Sequence, residues 1–482
     1  MFDTTVSLPL WLFLLLLLAA GYAVVMSVLF PGVRWFFRRR LNRAVDRLNT
    51  SLQIKIRPLQ ATKRQVLIDQ LIFDPQVIAM IEAQAIADKV PREVLQHRVR
   101  GYAREIVPSF NAYVYYRVIY WLAKSVSRFI YRVRVAAADP VRLQAVNPDS
   151  TVVFVMNHRS NMDYLLISYL AAERVTLSYA VGEWARVFPL EMLIRAMGAF
   201  FVRRGSQNPL YRKVLERYVF MATHSGVCQA VFLEGGLSRD GRMAEPRLGF
   251  LDYMLRNYDW QTDRDVVFVP AGINYDRVLE DHNLLHWDDH SRRVGTRQYL
   301  TNFRRFLAEN LFAGSRKRWK RFGYASVNFG VPVSMRKYCR SRQIDFKHLS
   351  KDQRITRVKE LADHLMSALR HVMPVLPVPL IAAVMVRAEG EALTSLQILK
   401  RCDELIDDII ARGAAMRAEE KPRQRTLANS LELMKSREML LESDDRFSIN
   451  PVLQPLVLYY ANSIEHWWKS QAGQAAVVTA SP

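Results

Sequence analysis

Cysteine is nearly missing from this chain: Cys228, Cys339 and Cys402 are all that its 482 residues hold. Their wide separation and odd number exclude a disulfide scaffold and a zinc site built on paired thiolates, and they fit a reducing compartment. Acidic residues are also in short supply, 46 against 68 lysines and arginines, which leaves a formal net charge of +22 and a pI near 10.0. Such an excess predicts an anionic partner, whether nucleic acid, acidic lipid or a phosphorylated substrate. There is no internal repeat and no G-x-S-x-G elbow, so a strained serine nucleophile has no support.

What the chain does have is apolar mass. It is 50% hydrophobic, enough for a large core, and its length implies two to four structural units. Val6 to Phe30 carries no charged residue. At about 1.5 Å per residue it is long enough to cross a hydrocarbon layer of roughly 30 Å. Arg34, Arg38, Arg39 and Arg40 follow directly, and only Asp3 precedes it. The positive-inside bias then faces the rest of the chain to the cytoplasm. A cleaved signal peptide would place positive charge ahead of the run and a small-residue cleavage site behind it, and neither is present. The expectation is a retained transmembrane helix with an anionic phospholipid membrane as partner.

Beyond the anchor, residues 34–145 read as mostly helical, with Pro75 and Pro108 as breaks within the stretches at 66–85 and 98–133. From Val152 the texture changes to short β-branched runs separated by helix-length segments: VVFV at 152–155, VTLSYAV at 175–181, QAVFLE at 229–234 and DVVFVPAGI at 265–273. That alternation predicts an α/β layer with a mixed or parallel sheet, and ASVNFGVPVS at 325–334 adds a strand pair near its edge. After Asp345 the chain reads as helical again. The exception is the apolar, three-proline segment at 372–386, too short to span a membrane and read as buried or interface-seeking. Mixed charges from Asp407 to Asp445 read as solvated helix faces and a flexible connector.

The chemistry concentrates where strands end. After the first predicted strand comes VFVMNHRSNMDYLLISYL, with His158 at the strand exit and Asp163 on the first turns of the next helix. A neutral imidazole takes a proton from an alcohol near neutral pH, and a carboxylate on its other ring nitrogen fixes the tautomer and stabilises the imidazolium. Read alone, so common a spacing favours a helix cap or a backbone bond for His158 and a surface ion pair for Asp163. FLEGGLSRDGR places Glu234 at another strand exit, followed by Gly235, Gly236, Ser238 and Arg239. Paired glycines allow close backbone approach and can present amides to a phosphate or a developing oxyanion. Arg239 can bind phosphate in bidentate fashion. GAFFVRR at 198–204 runs from an apolar strand into Arg203 and Arg204. Together these form an anion pocket beside a general base.

In these blocks the chain resembles the glycerophospholipid acyltransferase superfamily, in particular the bacterial glycerol-3-phosphate acyltransferases and their relatives that acylate dihydroxyacetone phosphate. NHRSNMDYLL contains the family's H-x-x-x-x-D, and GAFFVRR matches the block ending in the phosphate-binding arginine. FLEGGLSRDGR matches E-G-G-x-S-R-x-G, and VFVPAGINYDRVLE matches the proline-containing strand block. The likeness runs through SVNFGVPVS, the prolyl segment and YYANSIEHWW, covering about residues 67–470. It implies His158 as the base, Asp163 as its orienting partner, Arg203 or Arg204 as a phosphate contact, and Glu234, Gly235, Gly236, Ser238 and Arg239 around the acceptor. Pro270 would lie beside the acyl chain.

The fold so implied is α/β: a central mixed sheet flanked by helices at 146–345, preceded by an anchor at 1–33 and a helical region at 34–145. A helical C-terminal region at 346–482 follows. The activity implied is transfer of an acyl group from an acyl carrier protein or acyl-coenzyme A thioester to the sn-1 hydroxyl of glycerol 3-phosphate. No tightly bound cofactor, metal or nucleic acid is expected, and the location is the bacterial cytoplasmic (inner) membrane, with the catalytic domain on the cytoplasmic side. Arg316, Lys317, Arg318, Lys320 and Arg321 suit either the acidic donor or anionic lipid. Leu237 stands where the glycerol-3-phosphate branch carries an arginine, which leaves lysophosphatidic acid or another phosphorylated alcohol or lysophospholipid as the alternative acceptor.

Overall fold

The structure is a computed structural model that describes residues 9, 64–111, 115, 120–137, 140–171, 177–182, 190–203, 205–281, 322–414 and 424–469. The chain divides into two units, Met1–Lys55 and Ile56–Pro482, and the fold is that of the second. Its centre is a sheet of β1 (Arg132–Ala137), β2 (Thr151–Met156), β3 (Ser178–Gly182), β4 (Phe200–Val202), β5 (Gln229–Phe232), β6 (Val266–Tyr275), β7 (Tyr324–Phe329) and β8 (Val333–Ser334). The order is β1-β7-β6-β2-β5-β3-β4, with β8 also on β6. From β6 through β2, β5 and β3 to β4 the strands run parallel. β7 and β8 are antiparallel to β6, and β1 runs parallel to β7, so the sheet is mixed.

β2 and β6 are buried throughout because both faces of the sheet are covered. On one face Val153 and Val155 share a core with α1 (Arg64–Ile72), α2 (Pro75–Asp88) and α3 (Arg92–Ile106). On the other, α4 (Tyr120–Ile130) packs against α5 (Met162–Ala171). The first core also takes in α6 (Pro209–His224), α7 (Gly249–Leu255) and α8 (Lys351–His371). Helix ends follow local chemistry. Asp74 caps α2 through the Gln76 N–H with Pro75 at its first position, and Ser350 with Gln353 forms a capping box on α8.

The prolyl segment becomes α9 (Pro377–Arg387), an apolar helix whose residues from Pro377 to Met385 are all buried. It packs on α10 (Ser395–Ala411), α11 (Gln424–Ser436) and α12 (Gln454–Asn462). Pro377 and Pro379 fall in its first turn, where a missing N–H costs no helical bond. Side chains such as Leu380, Ile381 and Val384 each stabilise by about 1.5–3 kcal/mol when taken from water.

Two stretches depart from the helical reading. β1 lies within 34–145, an edge strand whose residues 132–136 are all exposed or half-buried. In the C-terminal region β10 (Leu440–Ser443) and β11 (Arg446–Ile449) form a hairpin, and β11 also pairs with β9 (Leu393–Thr394). Asp444 and Asp445 both have positive φ, 49° and 59°, as a type I′ hairpin turn requires.

The transmembrane expectation needs correcting. A membrane crossing takes about 20 apolar residues in one helix. No helix among the described residues is long and apolar enough. α8 has 21 residues but is studded with charge, and α9 has only 11, its apolar surface spent on protein neighbours. Apart from Pro9, Val6–Phe30 lies outside the described residues. The transmembrane helix, the anionic membrane partner and the inner-membrane location therefore have no helix among the described residues to rest on and are withdrawn.

Candidate functional site

Three adjacent strands, β5, β2 and β6, deliver their C-terminal exits to one edge of the sheet. In open α/β sheets that edge is where ligands bind. Asn157 continues the β2–β6 pairing with its side chain, donating to Ile273 O (2.8 Å) and accepting from Ile273 N–H (2.7 Å). His158 follows, buried, with Nδ1 2.9 Å from Asp163 Oδ2. Its ring stacks on Phe232 at 3.9 Å and meets Tyr164 edge-on at 5.5 Å. With Nδ1–H donated to Asp163, the neutral ring carries its lone pair on Nε2.

Asp163 is held from four sides. Its Oδ2 also accepts from the N–H groups of Arg159 (2.7 Å) and Ser160 (3.0 Å), and Oδ1 accepts from the Tyr275 hydroxyl (2.7 Å). Burial, then the Asp163 charge, pushes the Tyr275 hydroxyl well above its ordinary range, so Tyr275 stays a donor.

The glycine block grips the backbone of His158. Glu234 Oε1 accepts the His158 N–H (3.0 Å) and Oε2 the Ala244 N–H (2.9 Å), while Ser238 N–H donates to His158 O (2.9 Å). Burial raises the Glu234 pKa, and the nearby Arg159 guanidinium opposes that rise. Gly235 closes the turn by donating to Phe232 O (3.0 Å) at a φ of +70°. Gly235 and Ser238 thus spend their amides on shaping the turn. Gly236 and Leu237 lie half-buried between them, and Arg239 is exposed.

Arg159 was not singled out in the sequence, yet it is buried and bonds Gly241 O and Ser463 O (3.4 Å), tying the histidine turn to the glycine block and to the end of α12. Gly241 needs its missing side chain twice over. Its φ is +83°, and a Cβ would lie 1.8 Å from Tyr459 O. A Gly241→Ala protein should melt well below the native chain: left-handed backbone alone costs about 1–2 kcal/mol, and the backbone clash adds to it. A thermal unfolding curve superimposed on the native one would refute this account of the turn.

Arg203 and Pro270 are not among the hydrogen-bond partners of the histidine turn. Arg203 makes a bidentate ion pair with Glu105 of α3 (Nε 2.9 Å, Nη2 2.6 Å), and its backbone N–H donates to the Tyr211 hydroxyl (2.9 Å). The Glu105 bond raises its already high pKa. Arg204 and the basic run from Arg316 to Arg321 lie outside the described residues. Pro270 sits inside β6 opposite Val155, where its carbonyl accepts from Gly330 N–H (2.7 Å). A strand residue's N–H and carbonyl point the same way, so the missing donor faces the break between β7 and β8, where a proline is tolerated.

Residues the sequence reading passed over complete the site: Tyr275 and Glu280 both stand in the quoted VFVPAGINYDRVLE block. Glu280 accepts from the Ser160 hydroxyl (2.7 Å) and the Asn161 N–H (3.2 Å). A carboxylate shortly after an apolar strand was the available signal.

Known proteins share sequence with this chain. The family described as Acyltransferase matches residues 134–274, and that described as Glycerol-3-phosphate acyltransferase C-terminal region matches residues 308–481. Glycerol-3-phosphate acyltransferase of Aeromonas hydrophila is 28% identical over 432 residues, 86% of this chain and 51% of that protein. Its counterpart in Pseudomonas syringae pv. syringae is 28% identical over 425 residues, 84% and 48%. That of Pseudomonas aeruginosa is 28% identical over 451 residues, 88% and 52%. The chain spans about half the length of the curated relatives it matches. The crystal structure of a 1-acyl-sn-glycerophosphate acyltransferase from Thermotoga maritima is 17% identical, with a TM-score of 0.30 over 63% of this chain and 97% of that one.

Proposed function

Because this chain belongs to the glycerophospholipid acyltransferase superfamily, in its bacterial glycerol-3-phosphate acyltransferase branch, we propose that it moves an acyl group from a thioester to the sn-1 hydroxyl of glycerol 3-phosphate, forming lysophosphatidic acid. The observation that carries this reading is the buried His158–Asp163 pair, 2.9 Å apart at the exits of parallel strands. His158 Nε2 takes the proton of the acceptor hydroxyl as its oxygen attacks the thioester carbonyl. Asp163 stabilises the imidazolium so formed. As the tetrahedral intermediate collapses, the carbon–sulfur bond breaks, and the imidazolium returns its proton to the departing thiolate. The glycine turn's remaining amides serve the oxyanion. Acyl carrier protein or coenzyme A supplies the thioester, and residues 146–345 carry the chemistry.

Arg203, Arg204 and Arg239 hold the acceptor's phosphate in this reading, with Pro270 beside the acyl chain. Glu105 already occupies the Arg203 fork, so phosphate binding there proceeds by exchange of one anion for another. Arg203→Ala should raise the acceptor KM by roughly 10- to 150-fold, the range of a charged hydrogen bond, with kcat much less affected. An unchanged KM would remove Arg203 from the site.

Leu237, where the branch carries arginine, favours a second reading in which the acceptor is lysophosphatidic acid or another phosphorylated alcohol or lysophospholipid. Purified protein given labelled acyl-coenzyme A and acyl carrier protein thioesters, with a panel of these acceptors, decides between them. Transfer to none of the acceptors from either donor would overturn both.

A further inference from the structure

The segment leaving β6 is anchored to the C-terminal region at several points. Asp276 accepts from the N–H groups of Val378 (3.0 Å) and Tyr324 (2.8 Å). Val278 N–H donates to the Tyr460 hydroxyl (3.0 Å), and Asp281 accepts from that hydroxyl and from Arg437 Nη2 (2.6 Å). Between these anchors the Glu280 carboxylate turns the other way, to the exit of β2. There it takes the Ser160 hydroxyl and the Asn161 N–H, and Ser160 Oγ in turn accepts the Met162 N–H (3.1 Å) that opens α5. The acyl-transfer steps give Glu280 no proton to carry, yet it is buried against the turn that holds His158 and Asp163.

We propose that Glu280 is a positioning residue for the reaction: it holds the turn from His158 to Asp163 at its working distance and couples that turn to the C-terminal helices. The inference rests on His158 as the base. Glu280 reaches His158 through two links, Ser160 with Asn161 and then the Asp163 carboxylate, whose backbone donors Arg159 and Ser160 belong to the same turn. Burial, with the Asp163 charge adding to it, raises the Glu280 pKa. That suits a group whose job is shape, because a neutral glutamine fills the same space, accepting from Asn161 N–H and donating to Ser160 Oγ.

The test compares Glu280→Ala, Glu280→Gln, Ser160→Ala and the Glu280→Ala/Ser160→Ala pair in the full chain. Glu280→Ala should lower kcat by about 10- to 100-fold, the effect of moving a reacting group by a fraction of an ångström to an ångström. Donor and acceptor KM should stay within about twofold of native, Glu280→Gln should stay within about threefold in kcat, and the double variant should lose less than the product of the two single losses, because the two share the Glu280–Ser160 contact. Hydrogen exchange of residues 158–163 should speed up in Glu280→Ala and remain native in Glu280→Gln. Near-native kcat in Glu280→Ala, or a Glu280→Gln protein as impaired as the alanine variant, overturns the proposal. If Glu280→Ala does not fold, Glu280→Gln and Ser160→Ala carry the decision by the same criteria. If the native chain acylates none of the acceptors, the reaction assignment fails, and exchange in the 158–163 turn still decides whether Glu280 holds it.

Discussion

His158→Ala leaves a folded protein that transfers acyl groups about 10²–10⁴-fold more slowly, the range that a well-placed proton transfer supplies. The fold survives because the side chain is not what holds the turn. Glu234 and Ser238 grip the backbone of residue 158, and Asp163 keeps three other donors when the imidazole is gone. The structural cost is the space left beside Phe232 and Tyr164 and the loss of one of the four Asp163 donors. Turnover with saturating thioester and acceptor, measured beside a thermal melt, separates the two effects. Near-native turnover in a well-folded variant would end the assignment of His158 as base.

Asp163 carries both chemistry and stability, and two substitutions separate them. In Asp163→Asn the amide oxygen takes the place of Oδ2 and keeps the His158, Arg159 and Ser160 donors. The amide NH2 meets the Tyr275 hydroxyl, which can rotate to accept. Stability should therefore fall little, while the loss of the negative charge that stabilises the imidazolium should lower kcat by about 10²–10⁴-fold. Asp163→Ala instead strands four buried donors, each at about 1–3 kcal/mol, and should melt much earlier as well as being inactive. An asparagine variant with near-native kcat, or an alanine variant as stable as the native chain, contradicts this double role.

Strands were legible wherever both faces of the sheet are covered. β2, β5 and β6 are short β-branched runs, and burial on both sides demands such runs. β1 and the β10–β11 hairpin were missed because RVRVAA, LLES and RFSI are only four to six residues long, carry charge, and sit within longer stretches of helical texture. The Asp444–Asp445 turn was the signal there. The prolyl segment gave away its burial but not its neighbours, because an apolar helix reads alike against any apolar surface.

The same division runs through the site. Sequence alone determined that His158 and Asp163 sit five residues apart across a strand-to-helix turn, close enough to pair. The resemblance singled that pairing out from a helix cap and a surface ion pair, and the structure brings Nδ1 to 2.9 Å from Oδ2. Sequence likewise determined the glycine turn, whose positive φ at Gly235 and Gly241 is local chemistry. Only the tertiary structure decided that Glu234 and Ser238 hold the backbone of His158, that Tyr275 and Glu280 brace its turn, and that Arg203 meets Glu105. These partners stand 76 to 120 residues apart in the chain. Strand order and helix packing set those distances, and no short-range pattern of side chains encodes either.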